Sequence, residues 1–392
     1  MFGFRTGPGV LDCKWHGARR EADVNMQRRN IELGNLFLAA PFTPQGWETA
    51  LRELARQTRS AHGHLIAVGD RNLVTLNLAT DLGEDFNRGF VEIDGGSAET
   101  NWRVANVDAP LTIKHESHYV ASRRRMDCGI YDDFVNQYDL WNGCQTVLSL
   151  APDHFVGMAM LRTTADGVTT ESDRACFAVA ARAAHDALQL QRSVDDQCSV
   201  LAAGALEAAN VRALLFDGFG RLRAVTAVAE ELIARCEHVR IINGRLSARD
   251  EYLNNKLQRI LWKALNAPAG CTTHERLWVG DRDVGHEGVH LEIMTLPHVE
   301  WNLGFAPRVL MVLHHSESID ESCIDLIADA LHLTKSEAAV ALMTANGVPR
   351  ERIAQLRNTS SQTVNSQLKC IFRKTEINRE AELVVLIRGL IQ

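Results

Sequence analysis

Residues 333–374 read LTKSEAAVALMTANGVPRERIAQLRNTSSQTVNSQLKCIFRK, and this stretch decides the fold of the C-terminal part. Thr334 followed three residues later by Glu337 is a capping box. The Thr hydroxyl can accept from the Glu337 N–H while the Glu carboxylate reaches back to the Thr334 N–H. Ala338, Val340, Ala341 and Leu342 then open a short helix that Asn346-Gly347 can stop, Gly supplying a left-handed turn. Pro349 suits the start of a second helix carrying Ile353, Ala354 and Leu356. Thr359-Ser360 offers a third N-cap, and a third helix follows over residues 361–374, roughly 20 Å long at 1.5 Å per residue.

The third helix has two faces. Val364, Leu368 and Ile371 recur at i, i+4 and i+7 and bury against the first two helices. Gln362, Asn365, Ser366, Lys369 and Arg373 fall on the other side. From Ser360 to Thr375 there are three basic residues, Lys369, Arg373 and Lys374, and no acid. Amide side chains can read adenine edges, and Lys can read guanine or hold phosphate. The competing reading is a helical hairpin with an ordinary solvated face.

The pattern L-T-x-x-E, V, A-x-G, I-A, S-x-x-T-V, I and K resembles the DNA-binding domain of LuxR-type transcriptional regulators, a four-helix helix-turn-helix module. Here it falls on Leu333, Thr334, Glu337, Val340, Ala345, Gly347, Ile353, Ala354, Ser360, Thr363, Val364, Ile371 and Lys374. Lys335 stands where the family usually has Pro, Arg357-Asn358 where it has Leu-Gly, and Gln367 where it has His. The resemblance implies that Asn365, Ser366 and Lys369 read the major groove of double-stranded DNA, while Thr363 and Lys374 sit near phosphates. It also implies a homodimer, and RNA polymerase as a candidate partner.

The charge balance divides in a way that fits this. Residues 331–392 hold nine Lys and Arg against five Glu, a net +4; with −7 over the whole chain, the remainder carries −11. A basic module on an acidic body directs phosphate contact to one end. The 392 residues suggest two to three domains. No run of about 18 apolar residues occurs, so no membrane helix is expected. The opening MFGFRTGPGV lacks an apolar signal region, and nine cysteines sit singly without C-x-x-C spacing. Both point to a cytoplasmic protein with reduced thiols, and to no structural zinc.

Upstream, the fold class reads as multi-domain α+β. Residues 1–30 have no clear period and read as a disordered tail; Met26 is a second possible start. Residues 31–195 read as a GAF-like sensory domain. A helix carries Trp47, Leu51, Leu54 and Thr58; strand-like runs follow at 64–68 and 73–79. An acidic, Gly-containing loop comes next, then short helices, a second hairpin about Ala151-Pro152-Asp153, and a long Ala-rich helix from Glu171. Element order alone carries that resemblance. Residues 196–325 read as a PAS-like domain around the turn Leu214-Leu-Phe-Asp-Gly-Phe-Gly-Arg221, and 326–392 as the helix-turn-helix domain.

Trp102, Tyr119, Tyr131, Tyr138 and Trp141, with Phe134, form an aromatic cluster. It reads either as a pocket for a small-molecule effector or as plain core. The long helix reads either as a dimer seam or as a helix packed on its own sheet. One motif competes with the regulator reading: His286-Glu287-Gly288-Val289-His290 matches H-E-x-x-H, the basis for a metal-dependent hydrolase. That chemistry needs a helix. In the strand its flanks suggest, the two His lie about 13 Å apart, too far to share zinc. No catalytic residues, metal or cofactor are expected, and a sensor whose helical end binds a protein is the third reading.

Overall fold

The computed structural model describes residues 9–267, 270–280, 288–297, 303–315 and 321–391, with side chains from residue 24 onward except 315. The chain divides into two compact units, Met1–His314 and His315–Gln392. It is a mixed α+β protein with a helical C-terminal unit.

Helix α1 (Gly9–Ala39) opens the chain, so the segment expected as a disordered tail is helical from Gly9. Its far end explains why. Leu33 and Phe37 are fully buried and join one core with Trp47, Leu51 and Leu54 of α2 (Gly46–Thr58). A helix nucleated by such packing propagates backward by adding one backbone hydrogen bond for each further residue fixed.

Strands β1 (His62–Val68) and β2 (Val74–Ala79) follow. Next comes helix α3 (Gly83–Glu92), where composition predicts an acidic loop. Phe86 and Phe90, one turn apart, are each 2% exposed, and their burial holds the helix. Then come β3 (Lys114–His115), α4 (Glu116–Arg123), α5 (Gly129–Gln137), β4 (Asn142–Ala151), β5 (His154–Arg162) and α6 (Glu171–Ala208). Thr170 caps α6 through a reciprocal box with Asp173.

The first sheet runs β2-β1-β5-β4-β3, with antiparallel pairing throughout. Strand β1 lies inside the sheet, between β2 and β5, and is buried on both faces. Leu65 and Ala67 join the core shared with α1, α2 and α6, while Ile66 and Val68 join the aromatic core on the opposite face. This is the period of two expected of a strand between two layers.

A second sheet is built from β6 (Ala213–Asp217), β7 (Leu222–Val225), β10 (His274–Gly280), β11 (Gly288–Thr295) and β12 (Pro307–His315). Its order is β10-β11-β12-β6-β7. Each sheet, numbered from its own first strand, thus has the order 2-1-5-4-3. Helices α7 (Ala227–Arg235) and α8 (Glu251–Leu265) and the hairpin β8 (Val239–Ile242) and β9 (Arg245–Ala248) contribute to the core of the second sheet. The hairpin turns at Asn243 and Gly244, both at positive φ (51° and 73°), the Asn-Gly signature of a tight turn.

The two sheets are not independent. Phe219, on the turn between β6 and β7, is 2% exposed and belongs to the core of the first sheet, as do Leu303 and Phe305. Its ring stacks on His154 at 4.5 Å between centroids and lies 5.5 Å from Phe305. Around this wedge, Asp153 accepts from Arg221 Nε at 2.8 Å and from Arg245 Nη2 at 3.1 Å. The boundary read at 195/196 therefore lies inside α6, and both sheets belong to one compact unit.

The second unit holds α9 (Ile324–Ala330), α10 (Lys335–Ala345), α11 (Arg350–Leu356), α12 (Ser361–Thr375) and α13 (Glu380–Ile391). It begins at His315, upstream of the boundary read at 325/326. Val340, Ile353, Val364, Leu368, Ile371, Leu383 and Ile387 form its core. Gly347 takes the left-handed turn at φ 72°, and Asn358 takes another at φ 50° where the LuxR pattern has Gly. Asn tolerates that conformation better than most residues.

Candidate functional site

Helix α12 is positioned by local chemistry first. Ser360 caps it, its hydroxyl accepting from the Thr363 N–H at 3.1 Å. Val364, Leu368 and Ile371 are almost wholly buried. Gln367 Nε2 and Arg357 Nη2 both donate to Ser336 Oγ, at 2.9 and 2.8 Å, tying the helix to the start of α10.

The opposite face carries Gln362, Thr363, Ser366, Lys369 and Arg373, all exposed, and no acid occurs within α12. Ser366 Oγ donates to Gln362 O at 2.9 Å, and Arg373 Nη2 to Cys370 Sγ at 3.3 Å. Lys369 makes no hydrogen bond or ion pair among the described residues. Asn365 is half-buried and its Oδ1 accepts from Arg350 Nη1 at 2.8 Å; Arg350 Nε donates to Glu380 at 2.6 Å. Oδ1 is thus the engaged atom of the Asn365 amide.

Lys374 has a partner within the unit. Its Nζ lies 2.7 Å from Glu337 Oε2, the same oxygen that accepts from the Thr334 N–H at 2.7 Å and the Thr334 hydroxyl at 2.9 Å. The Lys374 hydrogen bond holds the Glu337 carboxyl below its ordinary range, against burial. The capping box and the end of α12 are thus one device, and Lys374 braces it. Glu337→Ala is expected to lower the stability of this unit by about 1 kcal/mol, the usual size of a lost cap. Hydrogen exchange should quicken in both α10 and α12; quickening in α10 alone would show that the brace carries nothing.

The aromatic cluster divides between frame and cavity. A cavity of about 50 Å³ lies on the face of the first sheet covered by α3 and α5. Its wall includes His64, Phe86, Arg103, Tyr131, Phe134 and Gln145. Of the five aromatics read as a pocket, Tyr131 alone lines it. Trp102 is buried, and its Nε1 donates to Asp132 Oδ1 at 2.9 Å. Tyr119 packs on Trp102 at 4.9 Å and donates to Lys114 O at 3.2 Å. Tyr138 packs on Phe86 and Phe134, and Trp141 lies under the Arg123 guanidinium at 4.5 Å. These four build the frame that holds the cavity.

The polar wall residues came from outside the aromatic reading. His64 sits on β1 with Nε2 2.7 Å from Asn77 Oδ1, and burial pushes its pKa down to about 4. Arg103 is 7% exposed, and its Nη2 donates to Leu140 O at 2.7 Å and Asn142 O at 3.2 Å. The alternation of β1 placed His64 on a buried face; no local pattern marks Arg103.

His286 and Glu287 of the H-E-x-x-H motif lie outside the described residues. His290 stands on β11, paired in register with Trp278 of β10. Among the described residues, no group of His, Cys, Asp or Glu is arranged to hold a metal ion. Among the same residues, no helix is long and apolar enough to cross a membrane.

No family model matches the chain, and no curated protein matches it. Among solved structures, the crystal structure of the E. coli DhaR(N)-DhaL complex is similar over 79% of this chain and 92% of the matched chain. The two are 14% identical with a TM-score of 0.21, a likeness too slight to carry an argument.

Proposed function

We propose that the chain is a dimeric, ligand-responsive transcriptional regulator of LuxR type that reads double-stranded DNA with α12. The observation that carries this reading is the outer face of α12. Gln362, Ser366, Lys369 and Arg373 stand exposed on a capped, rigidly backed helix that holds no acid. Such a face suits a major groove, with amide and cationic groups reading bases and cations meeting phosphate. The repeated strand order of the two sheets supports GAF-like and PAS-like sensory parts upstream. Along α6, Leu190, Val194 and Leu201 are 45%, 44% and 73% exposed at spacings of four and seven, which supports a helical dimer seam. A two-fold pair of recognition helices would then address a two-fold site.

The test is capture of genomic fragments by the purified full chain, followed by titration of the enriched fragment. Lys369→Ala and Asn365→Ala are expected to weaken the specific fragment about tenfold more than a random duplex. Arg373→Ala is expected to weaken both alike and to flatten the salt dependence. Failure to enrich any fragment would overturn the reading in favour of a protein partner for the same helix. Equal losses for all three variants on both duplexes would overturn base reading by α12.

A further inference from the structure

The cavity beneath α3 and α5 has an electrostatic asymmetry. Its wall contains no Asp or Glu, and His64 is kept neutral by burial, so the Arg103 guanidinium is its one formal charge at neutral pH. No carboxylate lies within ion-pair distance of Arg103 among the described residues. The nearby acid Asp132 is already engaged by Arg123 at 2.8 Å and by Trp102. Arg103 has partial compensation from two carbonyl oxygens and from the ring faces of Trp102 and Tyr119, 4.5 and 5.2 Å away. Carbonyls and ring faces offset burial of a cation but do not neutralise it. A carboxylate does, and its two oxygens match the planar fork of a guanidinium.

The rest of the wall sets the size. Ile66, Phe86, Phe90, Phe134, Met158 and Leu161 make it largely apolar, which disfavours strongly hydrated phosphate or sulfate. At about 50 Å³ it has a third of the roughly 150 Å³ that accommodates benzene in an engineered protein cavity. That leaves space for about three non-hydrogen atoms, the size of formate. We propose that this cavity is the effector site of the regulator and that it takes the one-carbon carboxylate formate, with Arg103 holding the carboxylate and the phenylalanines packing on its C–H. Only the word effector rests on the regulatory reading; binding to the cavity stands apart from DNA.

The experiment is calorimetric titration of the full chain, without DNA, with sodium formate against a sodium chloride background of equal ionic strength. Formamide serves as the neutral isostere. Saturable binding of formate, and binding of formamide at least tenfold weaker, are expected. Arg103→Gln should weaken formate at least tenfold, and Ala159→Leu, which fills the cavity while keeping Arg103, should abolish it. Absence of saturable formate binding by the parent chain overturns the proposal. So does equal binding of formate and formamide, or parent-like binding by folded Ala159→Leu. Because no DNA is present, failure here leaves fragment capture by α12 untouched, and failure of capture leaves this titration intact.

Discussion

Phe219→Ala is expected to lower the stability of the first unit by about 3–5 kcal/mol, the range for truncating a fully buried aromatic. The side chain sits on a turn of the second sheet, yet its ring contacts are His154 and Phe305, within a core that also contains Trp47 and Phe177. Truncation leaves a void between two sheets rather than within one. The turn itself survives, because Asp217 still accepts from the backbone N–H groups of residues 219 and 221 at 2.9 Å. The loss is therefore expected to split one unfolding transition into two, the sheets parting before either melts. Chemical denaturation followed by hydrogen exchange in β1 of the first sheet and β11 of the second reads both. A change below about 1 kcal/mol with a single transition retained would mean that Phe219 is a surface contact and no wedge.

Acid is expected to weaken the protein through His64. Burial is the main cause that brings its pKa down to about 4 in the folded chain, with Arg103 adding to the effect and the Asn77 hydrogen bond opposing it. In the unfolded chain an ordinary histidine titrates near 6.5. Between those values the unfolded state binds the extra proton, so stability rises with pH across the window. The contribution is complete above about pH 6.5 and is lost as the pH falls towards about 4, amounting to about 3 kcal/mol. His64→Gln can keep a hydrogen bond to Asn77 and has nothing to titrate. Denaturation midpoints of parent and variant, compared at several pH values, should differ by a constant above pH 6.5. Below it the parent should lose ground relative to the variant. Parallel curves throughout would show that His64 takes up its proton alike in the folded and the unfolded chain, and that acid acts elsewhere.

These two residues also mark where reading the chain stops short. Trp47, Leu51, Leu54 and Thr58 are legible as one helix face because a period of 3.6 is written in neighbouring residues, and all four are buried on α2. The box at Thr334/Glu337 lies within three residues of chain and is legible for the same reason. Helix α3 escapes the same reading. Its acidic, glycine-bearing stretch favours a loop by composition, and only burial of Phe86 and Phe90 against Phe134 and Tyr138 turns it into a helix.

What the sequence determined by itself is the buried face of α2, the Thr334/Glu337 box, the Ser360 cap and the two-faced character of α12, since each depends on residues within a turn or two of one another. The tertiary structure alone decided that Lys374 braces Glu337 across 37 residues, that Phe219 enters the core of the other sheet, and that Arg103 meets carbonyls, rings and a cavity in place of an acid. Those outcomes depend on which distant groups share a desolvated space. The energy of a buried charge or ring is set by that company, and no local period records it.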